Sequence, residues 1–151
     1  MPNCLPPNLN KTPRDFAGIV MGFDFGLKRI GVAIGQTQTA TANPHTTLTS
    51  RDGVPDWQSI SALVEQWQPL AFIVGLPLRL DGSEQPFTQS ARKFGQRLHG
   101  RFQRPVFFVE EQLSSFDAEQ RNAQQKTKVG QKPQPLDAIA AQIILENGLQ
   151  L

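Results

Sequence analysis

The sequence predicts an α/β layered domain, a mixed sheet covered by helices on both faces. Three observations carry that reading. The chain opens, after a proline-studded lead, with two apolar segments, 19–25 and 29–35, joined by the turn Gly26-Leu27-Lys28-Arg29. Short apolar strands then alternate with amphipathic helices, the pattern of crossover connections between sheet strands. The first apolar segment is also broken by a lone carboxylate, Asp24. An ionised Asp in a buried strand costs several kcal/mol unless it is paired or bound to a cation, so it marks a position with a purpose.

The elements follow in order. Residues 19–25 and 29–35 read as a hairpin, and Thr46 to Thr49 as a third strand at the sheet edge. Residues 55–67 read as a helix, with Trp57, Ile60, Val64 and Trp67 on one face and Pro55 in the first turn. Pro69 ends it, and Ala71 to Gly75 is a buried strand. A helix from about Glu84 to Gly100 turns Phe87, Ala91, Phe94 and Leu98 inward. Pro105 to Val109 is the next buried strand and closes on Glu110, Glu111 and Gln112. Ser114 or Ser115 caps a further helix to about Gln125, and a loop runs to Gln134. The last helix starts near Pro135 and stops at Gly148, with Leu136, Ile139, Ala140, Ile143 and Ile144 inward.

Length and composition bound the function. A chain of 151 residues, 38% hydrophobic and 19% charged, is one domain with a proper core. No run of 18 apolar residues is present to span a membrane. Residues 1–18, with Pro2, Pro6, Pro7 and Pro13 and no apolar stretch, are expected to form a disordered extension and not a signal peptide, leaving 19–151 as the folded domain. The single cysteine, Cys4, has no internal partner, which suits a reducing cytoplasm. Net charge is only +2, but the basic residues cluster. Arg92, Lys93, Arg97, Arg101 and Arg104 crowd one segment, and Lys126, Lys128 and Lys132 another. Lys93, Arg97 and Arg101 share one helix face by their i, i+4, i+8 spacing. That face reads either as a solvated surface or as a contact for nucleic-acid phosphates.

Four carboxylates stand where strands end and helices begin: Asp24, Glu110, Glu111 and Asp137. In open α/β sheets ligands gather at such places. Converging carboxylates repel one another and require a cation among them. Oxygen donors without His or Cys select Mg²⁺ or Mn²⁺, and such a site suits phosphodiester hydrolysis. The competing readings are ordinary ones. Asp24 would be paired by Lys28 or Arg29 across the hairpin, the two glutamates solvated at a strand end, and Asp137 a first-turn helix stabiliser.

The run Asp24-Phe25-Gly26-Leu27-Lys28-Arg29-Ile30-Gly31-Val32-Ala33 resembles the opening motif of the YqgF (RuvX) family, described as Holliday junction resolvases and now regarded as pre-16S rRNA nucleases. The similarity continues through Ile73 to Leu78, Asp81 to Pro86, Glu110 to Ser115 and Leu136 to Ala141, covering residues 20 to about 148. The resemblance implies a ribonuclease-H-like fold and a metal-dependent endonuclease of ribosomal RNA maturation. It makes Asp24, Glu111 and Asp137 the catalytic metal ligands for Mg²⁺ or Mn²⁺, with Glu110 auxiliary. Lys28 and Arg29 would meet substrate phosphates, and Lys93, Arg97 and Arg101 would extend the contact along the backbone.

Two motifs depart from the family pattern. Glu110-Glu111-Gln112 stands where Asp-Glu-Arg is usual, and Pro135-Leu136-Asp137 where Lys-Val-Asp is usual, so the auxiliary carboxylate is one methylene longer and two cations near the site are missing unless Lys132 substitutes for one. The implied partner is pre-rRNA, alone or within a ribosomal particle, with branched DNA as the alternative, and the chain is expected to be a monomer or weak dimer. Three other functions compete. A junction resolvase would need a two-fold dimer. A sugar-kinase or actin-like phosphate site would need a second lobe that 151 residues cannot hold. A catalytically weak nucleic-acid-binding module would keep the fold and lose the cutting.

Overall fold

The computed structural model describes residues 12–79, 81–111 and 136–150. The helix expected from Ser114 to Gln125, the loop lysines Lys126, Lys128 and Lys132, and the two departures Gln112 and Pro135 lie outside the described residues. Six strands form one sheet: β1 (Ile19–Asp24), β2 (Arg29–Gln36), β3 (Thr41–Arg51), β4 (Val54–Pro55), β5 (Ala71–Pro77) and β6 (Val106–Glu111). Their spatial order is β4-β3-β2-β1-β5-β6. The first four pair antiparallel, while β1, β5 and β6 run parallel. The helices are α1 (Trp57–Trp67), α2 (Pro86–Phe102) and α3 (Leu136–Gly148). The mixed sheet with helices on both faces is as the sequence predicts.

Strand alternation splits the core in two. Met21, Phe23, Ile30, Val32, Phe72 and Val74 join Ile60 and Val64 of α1 and Ala91, Phe94 and Leu98 of α2 on one face. Val20, Ala33, Ala71, Ile73 and Val109 meet Ala141, Ile144, Leu145 and Leu149 on the other, at and just beyond α3. Phe94 is the hub of the first layer, 2% exposed and with ring centroids 5.3 Å from Phe23, 5.2 Å from Phe25 and 5.9 Å from Trp57. Phe94→Ala is expected to lower the unfolding free energy by about 3–5 kcal/mol in urea titrations. A loss under about 1 kcal/mol would mean that this cluster does not hold the domain together.

Four details differ from the sequence reading. The third strand is eleven residues long and is not the edge, because the two-residue β4 pairs outside it through Ser50↔Pro55 and Arg51↔Val54. Its register slips between Val32↔Thr46 and Ala33↔Pro44, so His45 is an extra residue beside Pro44, which has no N–H to give to the ladder. Pro55 belongs to β4 and lies outside the helix. Asp56 caps α1 instead, accepting the Gln58 N–H at 3.1 Å and the Ser59 hydroxyl at 2.9 Å.

The expected extension over 1–18 is also too long. Residues 13–15 form a 3₁₀ turn, the Thr37 hydroxyl donates to the Phe16 carbonyl at 2.6 Å and accepts from the Gly18 N–H at 2.9 Å, and the Phe16 ring packs edge-on against Phe107. Thr37, buried at the end of the hairpin, supplies the anchor that a composition reading misses. No helix among the described residues is long and apolar enough to cross a membrane.

Candidate active site

Asp24 ends β1, the strand at the junction between the antiparallel and parallel halves of the sheet. Val20, Gly22 and Asp24 alternate toward the face that α3 covers, and a Cβ on Gly22 would lie 2.9 Å from Leu145 of that helix. On β6 the same alternation separates the paired glutamates. Phe107 and Val109 pack on the α3 side, so Glu111 follows them there, whereas Glu110 is exposed and points with Val106 and Phe108 toward the other face. The Glu111 carbonyl accepts the Leu78 N–H at 3.1 Å, which ties the end of β6 to the loop leaving β5.

Asp137 comes to the same place from α3. Its position depends on Gly31, the β2 residue in direct register with Asp24. A Cβ on Gly31 would fall 1.8 Å from the Asp137 carbonyl oxygen, so the first turn of α3 lies on bare strand backbone. Glycine inside an apolar strand is a sign of such close approach, and it is the site residue that the sequence reading did not single out.

The electrostatics show the convergence. The Asp24 carboxyl is pushed up from 3.8 to about 7, chiefly by burial and then by the negative charges of Asp137 and Glu111. Arg29 does not pair with Asp24. Its Nε lies 3.1 Å from Oδ2 of Asp137, with the Arg29 side chain 68% exposed. Lys28 is exposed on the turn before it. The hairpin pairing that would have made Asp24 an ordinary structural carboxylate is thus replaced by a pairing one carboxylate away.

Lys93 and Arg97 are exposed on α2, and the Arg101 guanidinium lies 4.3 Å above the Trp57 ring. This helix covers the face opposite α3, so the structure does not bring that basic row to the carboxylates.

The donor chemistry fits a hard divalent cation, because Asp24, Glu111 and Asp137 are all oxygen donors and a cation would relieve the repulsion that raises Asp24. Among the described residues no three His, Cys, Asp or Glu side chains already stand at the spacing of a closed ligand set. Asp137 is turned to Arg29 through Oδ2, which leaves Oδ1 as its second oxygen donor.

Comparison with known proteins identifies the family and the fold. A relative from Hydrogenovibrio crunogenus, named "Putative pre-16S rRNA nuclease", is 64% identical over 132 residues, covering 87% of this chain and 93% of the relative. One of the same name from Nitrosococcus oceani is 50% identical over 131 residues, covering 87% and 86%. Among solved structures, Thermus thermophilus RuvC superimposes with a TM-score of 0.51 at 11% identity over 87% of this chain and 91% of that one, which shows a shared ribonuclease-H-like fold. The same enzyme in complex with a Holliday junction substrate gives 0.50 at 13% identity, covering 87% and 90%. With the sequence model of the RuvX family, described as Holliday junction resolvase, matching residues 18–151, the chain belongs to the RuvX family of nucleases.

Proposed function

We propose that this protein is a Mg²⁺- or Mn²⁺-dependent endonuclease that trims the 5′ side of pre-16S rRNA in the cytoplasm, with Asp24, Glu111 and Asp137 as metal ligands. The observation that carries this reading is the raised Asp24 carboxyl with two further carboxylates near it on one sheet face. A bound ion would lower the pKa of the attacking water and stabilise the leaving oxygen. The chain's own residues do the rest. Gly31 sets the approach of Asp137, Leu78 holds the strand end that carries Glu111, and Lys28 and Arg29 stand ready for substrate phosphates. Glu110, exposed on the other face, acts at most from the rim. The names of the two relatives support the RNA substrate, and the family description keeps a four-way DNA junction as the second reading.

The two are separated by offering both substrates to the full-length protein with Mg²⁺, Mn²⁺ or EDTA. The expected result is metal-dependent cutting of a pre-16S 5′ fragment, abolished by EDTA and falling steeply as salt rises from about 50 to 200 mM. Symmetric cutting of the junction with the RNA left intact would move the assignment to a resolvase. Binding without cutting in any metal would leave only a nucleic-acid-binding module.

A further inference from the structure

A cleft of about 600 Å³ opens beside the β1–β2 turn, where it meets the β3–β4 corner. Lys28, Thr49, Ser50, Arg51 and Asp56 line it. Two backbone bonds hold its walls together: the Ser50 N–H donates to the Lys28 carbonyl at 2.8 Å, and the Gly53 N–H to the Leu27 carbonyl at 3.1 Å. The corner is therefore rigidly joined to the turn that carries Lys28 and Arg29. The Ser50 Oγ is shielded from bulk water and has no hydrogen-bond partner, a state that costs free energy and that a ligand oxygen relieves once the side chain turns into the cleft. Two cations on the cleft lining, with an unsatisfied hydroxyl behind it, are the chemistry of an oxyanion site.

The remaining wall decides which anion. Asp56 keeps its carboxylate on the Gln58 N–H and the Ser59 hydroxyl, and its charge disfavours a dianion. A terminal phosphate monoester is mostly dianionic at neutral pH, whereas an internal phosphodiester carries one charge. The cleft also begins on the turn that joins the end of β1, where Asp24 stands, to the start of β2 at Arg29.

We propose that this cleft is a phosphodiester-binding subsite, in which Lys28, Ser50 and Arg51 hold a linkage flanking the scissile one on the same nucleic-acid strand. The proposal rests on the nuclease reading for the identity of that strand. It assigns substrate contact to Ser50 and Arg51, which no motif of the sequence points to.

The test is binding of a single-stranded oligoribonucleotide to the full-length protein in EDTA, across a salt series. Arg51→Ala is expected to weaken binding about three- to tenfold and to reduce the slope of log K against log salt by about 1, with Arg14→Ala, remote and exposed, changing neither. Ser50→Ala is expected to weaken binding severalfold with the slope unchanged. A neutral methylphosphonate placed at successive linkages should weaken the parent protein at one position and have no effect there in Arg51→Ala. An unchanged slope, or a methylphosphonate effect of equal size in both proteins, overturns the subsite. If the parent cuts RNA with Mg²⁺ while Arg51→Ala binds like the parent, the subsite fails and the nuclease reading stands. If the slope falls as expected but no RNA is cut, the cleft stands and the nuclease reading fails.

Discussion

Asp24→Asn is expected to abolish cleavage, by about a thousandfold or more, and at the same time to make the metal-free protein more stable above pH 7. The two effects have one cause. The folded state holds the Asp24 carboxyl near pH 7, whereas an unfolded chain releases that proton near 3.8. As pH rises through this window the unfolded state sheds the proton first, so folding loses stability between about pH 4 and pH 7 and no more beyond it. Three pKa units correspond to about 4 kcal/mol as an upper bound. Asparagine has nothing to ionise and keeps a similar shape, so the variant escapes the loss. In EDTA the melting temperatures of parent and variant should coincide near pH 4 and separate by about 5–10 °C at pH 8, the variant being higher.

Adding Mg²⁺ at pH 8 should raise the parent and leave the variant nearly unmoved, since a ligand that binds only the native state stabilises it by mass action. A variant that melts below the parent at pH 8 without metal would show that Asp24 has a favourable partner in the fold, and the convergence of carboxylates would have to be abandoned. This readout does not depend on any substrate, so it tests the site separately from the identity of the RNA.

How much of this was legible in the chain depends on whether the information is local. Asp24 was, because a charge inside an apolar strand is anomalous wherever the strand ends up. The division of labour between Glu110 and Glu111 follows from strand alternation once the face of Val109 is known, and the family resemblance had already assigned the ligand to Glu111. The basic row on α2 shows the opposite case. The 3.6-residue period places Lys93, Arg97 and Arg101 on one outer face correctly, but no period says which side of the sheet a helix covers. That choice is made by the strands beneath, through Phe23, Phe72 and Val106 against Phe94, and it sets α2 across the sheet from Asp137. Thr37 and His45 were invisible for a related reason. One acts through bonds across 19 to 21 residues of sequence, the other as an extra residue in a strand beside Pro44.

Gly31→Ala is expected to damage the site more than any other single methyl group added to the described residues. The new Cβ would lie 1.8 Å from the Asp137 carbonyl oxygen and 2.3 Å from its carbonyl carbon, and both are backbone atoms that no rotamer can move aside. Reaching ordinary contact at about 3.4 Å requires the first turn of α3 to retreat by roughly 1.5 Å. Overpacking of this kind costs about 1–3 kcal/mol where neighbours can yield, and more where they cannot. The larger consequence is chemical. Asp137 would be carried away from Asp24, and a misplacement of about 1 Å in a catalytic group can cost about a hundredfold in rate.

The expected result is a drop in kcat of about a hundredfold with a smaller change in KM, accompanied by weaker stabilisation by Mg²⁺. Gly100→Ala is the matched control, because the same methyl group there, near the end of α2, meets nothing within 4 Å, and alanine favours helix. It should melt at or slightly above the parent temperature and cut normally. If Gly31→Ala also cuts normally, the start of α3 is free to shift without consequence, and Asp137 is not held where the chemistry needs it. If it loses stability but keeps both its rate and its response to Mg²⁺, then Gly31 serves packing alone and the placement of the third carboxylate must come from elsewhere. The two glycine variants together ask whether the closeness of α3 to bare strand backbone is a packing detail or the means by which a sheet with two carboxylates acquires a third.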